Sequence, residues 1–209
     1  GTESKHPFAL RRLIPFRTGQ GNLTKRQMSM AQLAHEYTYR YEYQKQSDVK
    51  FLNDFLFFRT KEIESIYNRI ADDENAILLF DITFSEGAFI AKEVVRSTMM
   101  YIKIEDLIPS FTMDREGFLE KVYAFAGFKD IDIKEDSDFS KHFYLLGEDV
   151  DGIRAFFNHE LMRFFESNPY YHVESNGKCL LVFKNERLAT LKEIKVIFDF
   201  GKRLKSLIT

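Results

Sequence analysis

Apolar and polar positions alternate most clearly in the C-terminal part of the chain, residues 138–188. A short apolar run at residues 143–146 is closed by Gly147, and Asp149 then precedes an apolar stripe with helical spacing. The stripe consists of Ile153, Phe156, Phe157, Leu161, Phe164 and Phe165. It ends before Pro169, because a proline pushes the preceding residue out of the helical region. The pattern predicts a strand followed by one long helix capped by Asp149.

A hairpin is predicted next, with strands at residues 171–174 and 179–183. Asn176-Gly177 lies between them and indicates a type I′ turn, which needs positive φ at both central residues. Alternation along the first strand places two pairs of side chains on opposite faces. These pairs are Tyr171 with Val173 and His172 with Glu174.

The N-terminal region divides into an arm and a helix. Residues 1–23 contain prolines, glycines and scattered basic residues, so we predict an extended arm or linker. We favour a solvated arm; the alternatives are apolar anchoring to the body or to another chain, and a basic contact with a membrane surface. Thr24 is predicted to cap a helix that carries Met28, Ala31, Leu33 and Ala34.

Four tyrosines alternate with other residues over residues 37–44, as is typical of a strand. The alternative is that the preceding helix simply continues. A row of tyrosines can serve as a stacking platform for bases or sugars. We favour a strand face packed on the core, with its hydroxyls at the edge.

Three further strands are predicted in the middle of the chain. Residues 63–70 and 76–84 are joined by a polar turn, and the second run is almost continuously apolar. Such a run is typical of a central strand that is buried on both faces. A loop at residues 85–92 leads to a strand at residues 93–105, the expected antiparallel partner of the second run. Residues 48–59 are rich in apolar side chains but too short to assign.

Two more helices complete the prediction. Asp114 is expected to cap a helix that ends at Gly127, because glycine is favoured just past a helix C-terminus. Thr190 and Glu193 have the spacing of a capping box for a closing helix. Strands followed by helices favour an α+β fold with a single twisted, mainly antiparallel sheet and helices packed on one side. We assign residues 24–209 to one such domain.

Composition narrows the classes of function. The chain has 22 Phe and 10 Tyr among 209 residues, which makes phenylalanine the expected core filler. A formal charge of −2 gives no overall attraction to nucleic acid, and no basic patch is interleaved with aromatic residues. The single cysteine excludes an internal disulfide framework and fits a reducing compartment.

The chain shows no recognisable targeting signal. No apolar run approaches the roughly 20 residues that span a bilayer, and no signal peptide is recognisable. We expect a cytoplasmic domain. Gly1 stands where a natural start would have Met, so an upstream membrane tether stays open as an alternative.

The sequence offers few candidates for catalysis. Its five histidines form no zinc-type pair at short spacing with one another or with cysteine. Phosphate-loop, dinucleotide-binding and serine-elbow motifs are absent. A Cys179 nucleophile would need His172 across the hairpin as its base, and we favour an inert core cysteine. We therefore expect no catalytic residue, no metal site and no cofactor.

Two surface segments are the remaining candidates for function, the loop at residues 85–92 and an acidic run. The run comprises Asp130, Asp132, Glu135, Asp136 and Asp138. Its alternating carboxylates have the oxygen ligands that a divalent cation takes, and a solvated acidic loop is the favoured interpretation.

Four segments carry a resemblance to a known family. They are LLFDITFSEG at residues 78–87, RSTMMYIKIEDLIPSF at 96–111, GFKDIDIKEDSDFSKHFYLLGED at 127–149 and IRAFFNHELMRFFESNPYYHVESNGKCLLVF at 153–183. Together they resemble an uncharacterised bacterial domain of unknown function that often follows membrane-spanning helices. The resemblance implies a domain on the cytoplasmic side of a membrane, and it supplies no reaction or cofactor.

These observations leave three hypotheses. The first is a non-enzymatic interaction or scaffold domain of a membrane-associated bacterial protein, whose partner is a protein or a membrane surface and not nucleic acid. The second is a binding module for a lipid headgroup or a small apolar ligand, because aromatic side chains line such pockets. The third is an enzyme that uses the carboxylates of residues 130–138 with a metal.

Overall fold

A computed structural model of the protein describes residues 23–115, 129–131, 133 and 137–209. Within them the helices α1 to α5 are Lys25–Glu36, Ser137–His142, Val150–Phe156, His159–Ser167 and Leu191–Ile208. The strands β1 to β9 are Arg40–Glu42, Lys61–Ala71, Ile77–Glu86, Glu93–Lys103, Phe111–Arg115, Lys129–Asp130, Phe143–Gly147, His172–Ser175 and Cys179–Phe183. Short 3₁₀ helices cover Lys50–Leu52, Leu56–Phe58 and Phe89–Ala91.

The nine described strands form one sheet in the order β1-β2-β3-β4-β9-β8-β5-β7-β6. Every neighbouring pair is antiparallel. The predicted α+β class with an antiparallel sheet is therefore confirmed. The first eight residues of β3 are all buried, as its apolar sequence predicts for a central strand, and β4 is its antiparallel partner.

Each face of the sheet carries its own apolar layer. On one face lie the helices, which contribute Met30, Leu33, Ile153, Leu161, Phe165 and Phe198 to the larger core cluster. On the other face lie residues 48–59, which we call the cover segment. It buries Val49, Leu52, Phe55, Phe57 and Phe58 against β3, β4 and β9. Burying one such side chain contributes about 1.5–3 kcal/mol to the free energy of unfolding. The aromatic side chains therefore largely stabilise the packing of the cover segment on the sheet.

Helix α1 begins at the predicted cap. The Thr24 hydroxyl accepts from the backbone N–H of Gln27, and the Gln27 side chain accepts from the backbone N–H of Thr24. The strand expected at residues 37–44 is shorter than predicted, because Thr38 adopts a left-handed φ of 59° and only Arg40–Glu42 pairs with β2.

The single long helix expected after Asp149 is wrong. Asp149 does cap a helix, but α3 ends at Phe156 and Asn158 caps a separate helix, α4. The Asn158 side chain accepts from the backbone N–H of Leu161 at 2.9 Å. Apolar spacing is the same in both helices, so the break depends on this cap and not on the stripe.

The hairpin β8–β9 has the predicted faces but a different turn. The backbone N–H of Asn176 donates to the carbonyl of Cys179, which leaves Gly177 and Lys178 as the central pair. Among these residues the left-handed φ falls on Gly177 alone, at 98°. A type I′ turn centred on Asn176-Gly177 needs positive φ at Asn176 as well, so the predicted type I′ turn is wrong.

Asp114 is not a helix cap, because it lies inside strand β5 and pairs opposite Tyr144. The helix predicted after it, the arm at residues 1–22 and most of the acidic run lie outside the described residues. Thr190 and Glu193 form the predicted capping box at the start of α5. The assignment of residues 24–209 to a single domain stays a prediction.

Candidate functional site

A cavity of about 530 Å³ opens between the cover segment and the hairpin β8–β9; we call it the hairpin cavity. Its lining is Phe51, Asp54, Leu56, Arg59, Tyr101, Ser110, Phe111, Thr112, Glu174, Ser175, Asn176, Lys178 and Cys179. Asp54, Arg59 and Lys178 are exposed, whereas Leu56, Thr112 and Glu174 are buried. The cavity therefore has charged groups at its outer side and a mixed apolar and polar interior.

The polar part of the interior follows from strand alternation. Thr112 on β5 pairs opposite Glu174 on β8, so both side chains lie on the face of the sheet covered by residues 48–59. Asp114 and His172 lie two residues further along each strand, on the same face. Four polar side chains thus meet where β5 and β8 run side by side.

The His172 ring lies between two carboxylates. Its Nδ1 is 2.8 Å from Asp114 Oδ2, and its Nε2 is 3.4 Å from Glu174 Oε2. The ring also stacks on Phe183, with 4.6 Å between the centroids. Because both ring nitrogens face carboxylate oxygens, the geometry fits an imidazolium that donates from each nitrogen.

The charge of His172 follows from two opposing effects. Burial by itself lowers the pKa of His172, but the hydrogen bonds to Asp114 and Glu174 outweigh it and raise that pKa to about 9. The group of three therefore contains a positively charged imidazole ring at neutral pH. We refer to it as the acid–histidine cluster.

Glu174 ties this cluster to the cover segment. Its carboxylate accepts from the backbone N–H groups of Leu56 and Phe57, at the start of the 3₁₀ helix Leu56–Phe58. Hydrogen bonds to an ionised acceptor are stronger than neutral ones. The wall of the cavity and the segment that closes it are thus joined through one side chain.

Cys179 is held as a thiol. Its Sγ lies 2.8 Å from the Tyr101 hydroxyl, and burial raises the pKa of Cys179. His172 pairs opposite Phe183, four residues further along β9, which is about 13 Å at the usual rise of a strand. The structure does not bring His172 to Cys179 as a base, which favours the inert interpretation of this cysteine.

Neither the segment at residues 85–92 nor Asp138 is part of the cavity lining. In the segment at residues 85–92, Lys92 pairs with Glu62 at 3.0 Å and Ile90 is fully exposed. Of the acidic run, Asp138 is exposed at the start of α2, and most of the run lies outside the described residues. Across the described residues, no group of three or more His, Cys, Asp or Glu side chains is arranged to hold a metal ion.

A second buried charge lies on the helix-covered face of the sheet. Asp81 on β3 is fully buried and accepts two hydrogen bonds from Arg26 on α1, at 2.7 and 2.9 Å. Thr98 and Asn68 also donate to it. Arg26 donates in addition to the carbonyl of Ala189, just before α5. This network joins two helices to the sheet.

Sequence reasoning missed both charged clusters, although each left a signal. His172 and Glu174 lie two residues apart on one face of a strand whose residues are all buried. Asp81 interrupts an apolar run. Buried ionisable groups need partners. The partners Asp114 and Arg26 come from distant parts of the chain and carry no such signal.

Comparisons with known proteins show a similar fold and do not show a function. No protein-family model and no curated protein matches this chain. Among solved structures, the crystal structure of the mycobacterial trehalose monomycolate transport factor A, TtfA, is similar with a TM-score of 0.57 and 11% sequence identity. The match covers 86% of this chain and 90% of that chain, and at this identity it shows a shared fold alone.

None of the described helices combines the length and apolar character needed to traverse a bilayer.

Proposed function

We propose that this protein is a non-enzymatic binding module that takes a small amphipathic molecule into the hairpin cavity. The observation that carries the proposal is the cavity itself, whose volume of about 530 Å³ lies within the range of ligand pockets. Apolar side chains with a few placed polar groups are the usual lining of such a site. The apolar part of a ligand would contact Phe51, Leu56 and Tyr101, and its polar part would face Glu174.

The bonding of the ionisable groups supports binding over catalysis. Both nitrogens of His172 face carboxylates, and the Cys179 thiol contacts Tyr101. A general base or nucleophile must present a lone pair to the substrate. Here both groups are bonded to neighbouring side chains, and Glu174, one of the partners of His172, also binds the cover segment.

The similar structure gives this proposal a context. TtfA is a trehalose monomycolate transport factor, and a small amphipathic ligand suits the mixed lining of the hairpin cavity. We extend the proposal to a bacterial protein associated with a membrane, which agrees with the domain of unknown function that the chain resembles. A cytoplasmic location, with a tether upstream of Gly1 as the alternative, belongs to the same proposal.

The test is binding of a fluorescent alkyl probe to the full chain, followed by displacement with unlabelled alkyl compounds. Ser110 lines the cavity and is exposed, so Ser110→Trp is expected to fill the entrance without disturbing the core. Affinity should fall at least about tenfold, the equivalent of about 1.4 kcal/mol. Ser206→Trp, on an exposed position of α5, is the matched control. Equal affinities for both variants, or no saturable binding by the unaltered chain, contradict the proposal.

A second candidate function is an interaction domain that uses the outer end of the β3–β4 hairpin. Ile90 is fully exposed there and Val94 is exposed by 66%. Exposed apolar clusters mark contact surfaces. If a second copy of the chain is the partner, sedimentation should show concentration-dependent association that the double variant Ile90→Ser, Val94→Ser removes. A monomer at all concentrations speaks against this partner.

A further inference from the structure

Glu174 is a buried carboxylate in the lining of the hairpin cavity, and contacts with the cover segment and His172 fix its position. Its side chain is 3% exposed. It accepts from two backbone N–H groups of the cover segment and lies 3.4 Å from His172. An ionised carboxylate has about four acceptor positions, and three donors surround this one. Capacity for about one further donor is left, and Glu174 is part of the cavity lining.

The charge of this carboxylate limits what can lie next to it. A ligand that brings its own carboxylate or phosphate to Glu174 would meet a like charge inside a largely desolvated site, which is unfavourable. The polar part of the ligand must therefore donate a hydrogen bond. Such donors are either neutral, as hydroxyl and amide N–H groups are, or positively charged, as ammonium groups are.

The overall charge of the site decides between these two. Among the described residues, three carboxylates line the cavity or lie directly behind its wall, and three cations balance them. The carboxylates are Asp54, Asp114 and Glu174, and the cations are Arg59, His172 and Lys178. A balanced site has no net attraction for an ammonium ion, which would lose its hydration without compensation. A neutral donor is favoured.

The remaining lining fits a compound with several hydroxyl groups. Thr112 contributes a hydroxyl beside Glu174, and this hydroxyl can donate or accept. Phe51 and Tyr101 form an edge-to-face pair, with 5.0 Å between the centroids, on the apolar side. A sugar ring presents C–H groups on its faces and hydroxyls at its edge, which matches an aromatic wall next to a polar one.

We infer that the polar half of the hairpin cavity binds a neutral polyhydroxylated group, a sugar or another polyol, with one hydroxyl donating to Glu174. Glu174 is then the specificity-determining residue, and His172 and Asp114 are positioning residues that hold its carboxylate. This inference deepens the proposed function and depends on it.

The experiment compares four probes by calorimetric titration of the full chain: octyl glucoside below its micellar concentration, methyl glucoside, octanoate and octylammonium. Octyl glucoside is expected to bind at least about tenfold more tightly than octanoate or octylammonium, because hydrogen bonds to charged groups are worth about 1.5–3 kcal/mol. Equally tight binding of methyl glucoside identifies a free sugar as the ligand. Binding of octyl glucoside alone identifies a glycolipid headgroup.

Two variants assign the selectivity to residues. Glu174→Gln should weaken octyl glucoside about tenfold and leave octanoate unchanged or tighter, while Glu62→Gln, an exposed carboxylate, changes neither. Circular dichroism checks that Glu174→Gln is folded. Thr112→Val keeps the side-chain volume, removes one hydroxyl of the polar wall, and should weaken octyl glucoside but not octanoate.

The outcomes separate the two proposals. If all alkyl probes bind equally and both variants leave them unchanged, the cavity binds apolar chains and the polyol inference is wrong. Tightest binding of octylammonium also overturns it. If no probe binds, the proposed function itself fails.

Discussion

At the scale of single residues, His172 shows how a buried charge is maintained. Two phenylalanine rings, Phe57 and Phe183, contact the imidazole, with centroid distances of 5.7 and 4.6 Å. In such surroundings a histidine would normally be neutral. The carboxylates of Asp114 and Glu174 reverse that preference, so this side chain links stability to pH.

The direction in which stability changes with pH follows from the pKa of His172. This pKa is about 9 in the folded protein and about 6.5 in the unfolded chain. The stabilisation, about 3 kcal/mol, is fully present below about pH 6.5 and is lost as pH rises through about 9. We expect His172→Gln to remove most of this pH dependence between those limits. Urea unfolding at a series of pH values measures it, and exposed His35→Gln should keep the wild-type slope. Identical slopes in all three proteins contradict the assignment.

Arg26 and Asp81 give a second prediction at this scale. Asp81 is completely buried, so Arg26→Met leaves a carboxylate without its cation and should cost about 3–5 kcal/mol of unfolding free energy. The double variant Arg26→Met, Asp81→Leu should recover a large part of that loss, because no buried charge remains.

The matched control for this pair is Arg203→Met. Arg203 and Asp199 are both more than half exposed, and exposed pairs contribute about 0–1 kcal/mol. Chemical unfolding of the four proteins gives the comparison. A loss for Arg26→Met no larger than that for Arg203→Met shows that the buried pair is unimportant for stability.

At the scale of elements, the close approach of α5 to the sheet depends on a residue without a side chain. A Cβ at Gly201 would collide with the Met100 sulfur on β4 and lie 3.3 Å from Ile102 Cδ1. Gly201 is therefore where the helix lies against the strand, although glycine is a poor helix former.

This contact predicts that Gly201→Ala destabilises the protein. Overpacking a tight core costs about 1–3 kcal/mol, which exceeds the gain of about 1 kcal/mol from helix propensity. Ser206→Ala, exposed on the same helix, should be neutral or slightly stabilising. Thermal unfolding distinguishes them, and a more stable Gly201→Ala protein would show that Met100 moves aside at little cost.

At the scale of the whole molecule, the sheet separates a helix layer from the cover segment, and Glu174 holds the cover segment through Leu56 and Phe57. Replacing a charged acceptor by a neutral one weakens these hydrogen bonds, so local opening becomes easier. In Glu174→Gln we expect the amides of Leu56 and Phe57 to exchange with solvent at least about tenfold faster.

Amide exchange followed by NMR measures this directly. The amide of Phe80, in the central strand, serves as the internal reference and should be protected alike in both proteins. Unchanged exchange at Leu56 and Phe57 would show that aromatic packing alone holds the cover segment.

The sequence by itself determined the fold class and the first residues of three helices. Periodic apolar spacing and the caps at Thr24, Asp149 and Thr190 are local, and they act the same way in any tertiary context. The strand pair β3–β4 was predictable for the same reason, because its apolar runs and its short connection fix an antiparallel partner. Local signals failed where one residue broke a continuing pattern, as Thr38 and Asn158 do.

Only the tertiary structure decided the site. His172 and Glu174 are adjacent on one strand face, but Asp114 lies 58 residues before His172, and Arg26 lies 55 residues before Asp81. The pairing of the whole sheet places β5 beside β8. The residues next to His172 in the sequence do not indicate this neighbour. The cavity likewise exists because the cover segment folds onto the sheet face next to these polar side chains. Hydrogen bonds to Asp114 and Glu174 keep His172 charged in spite of its burial, and the contact with Asp114 exists only in the assembled chain.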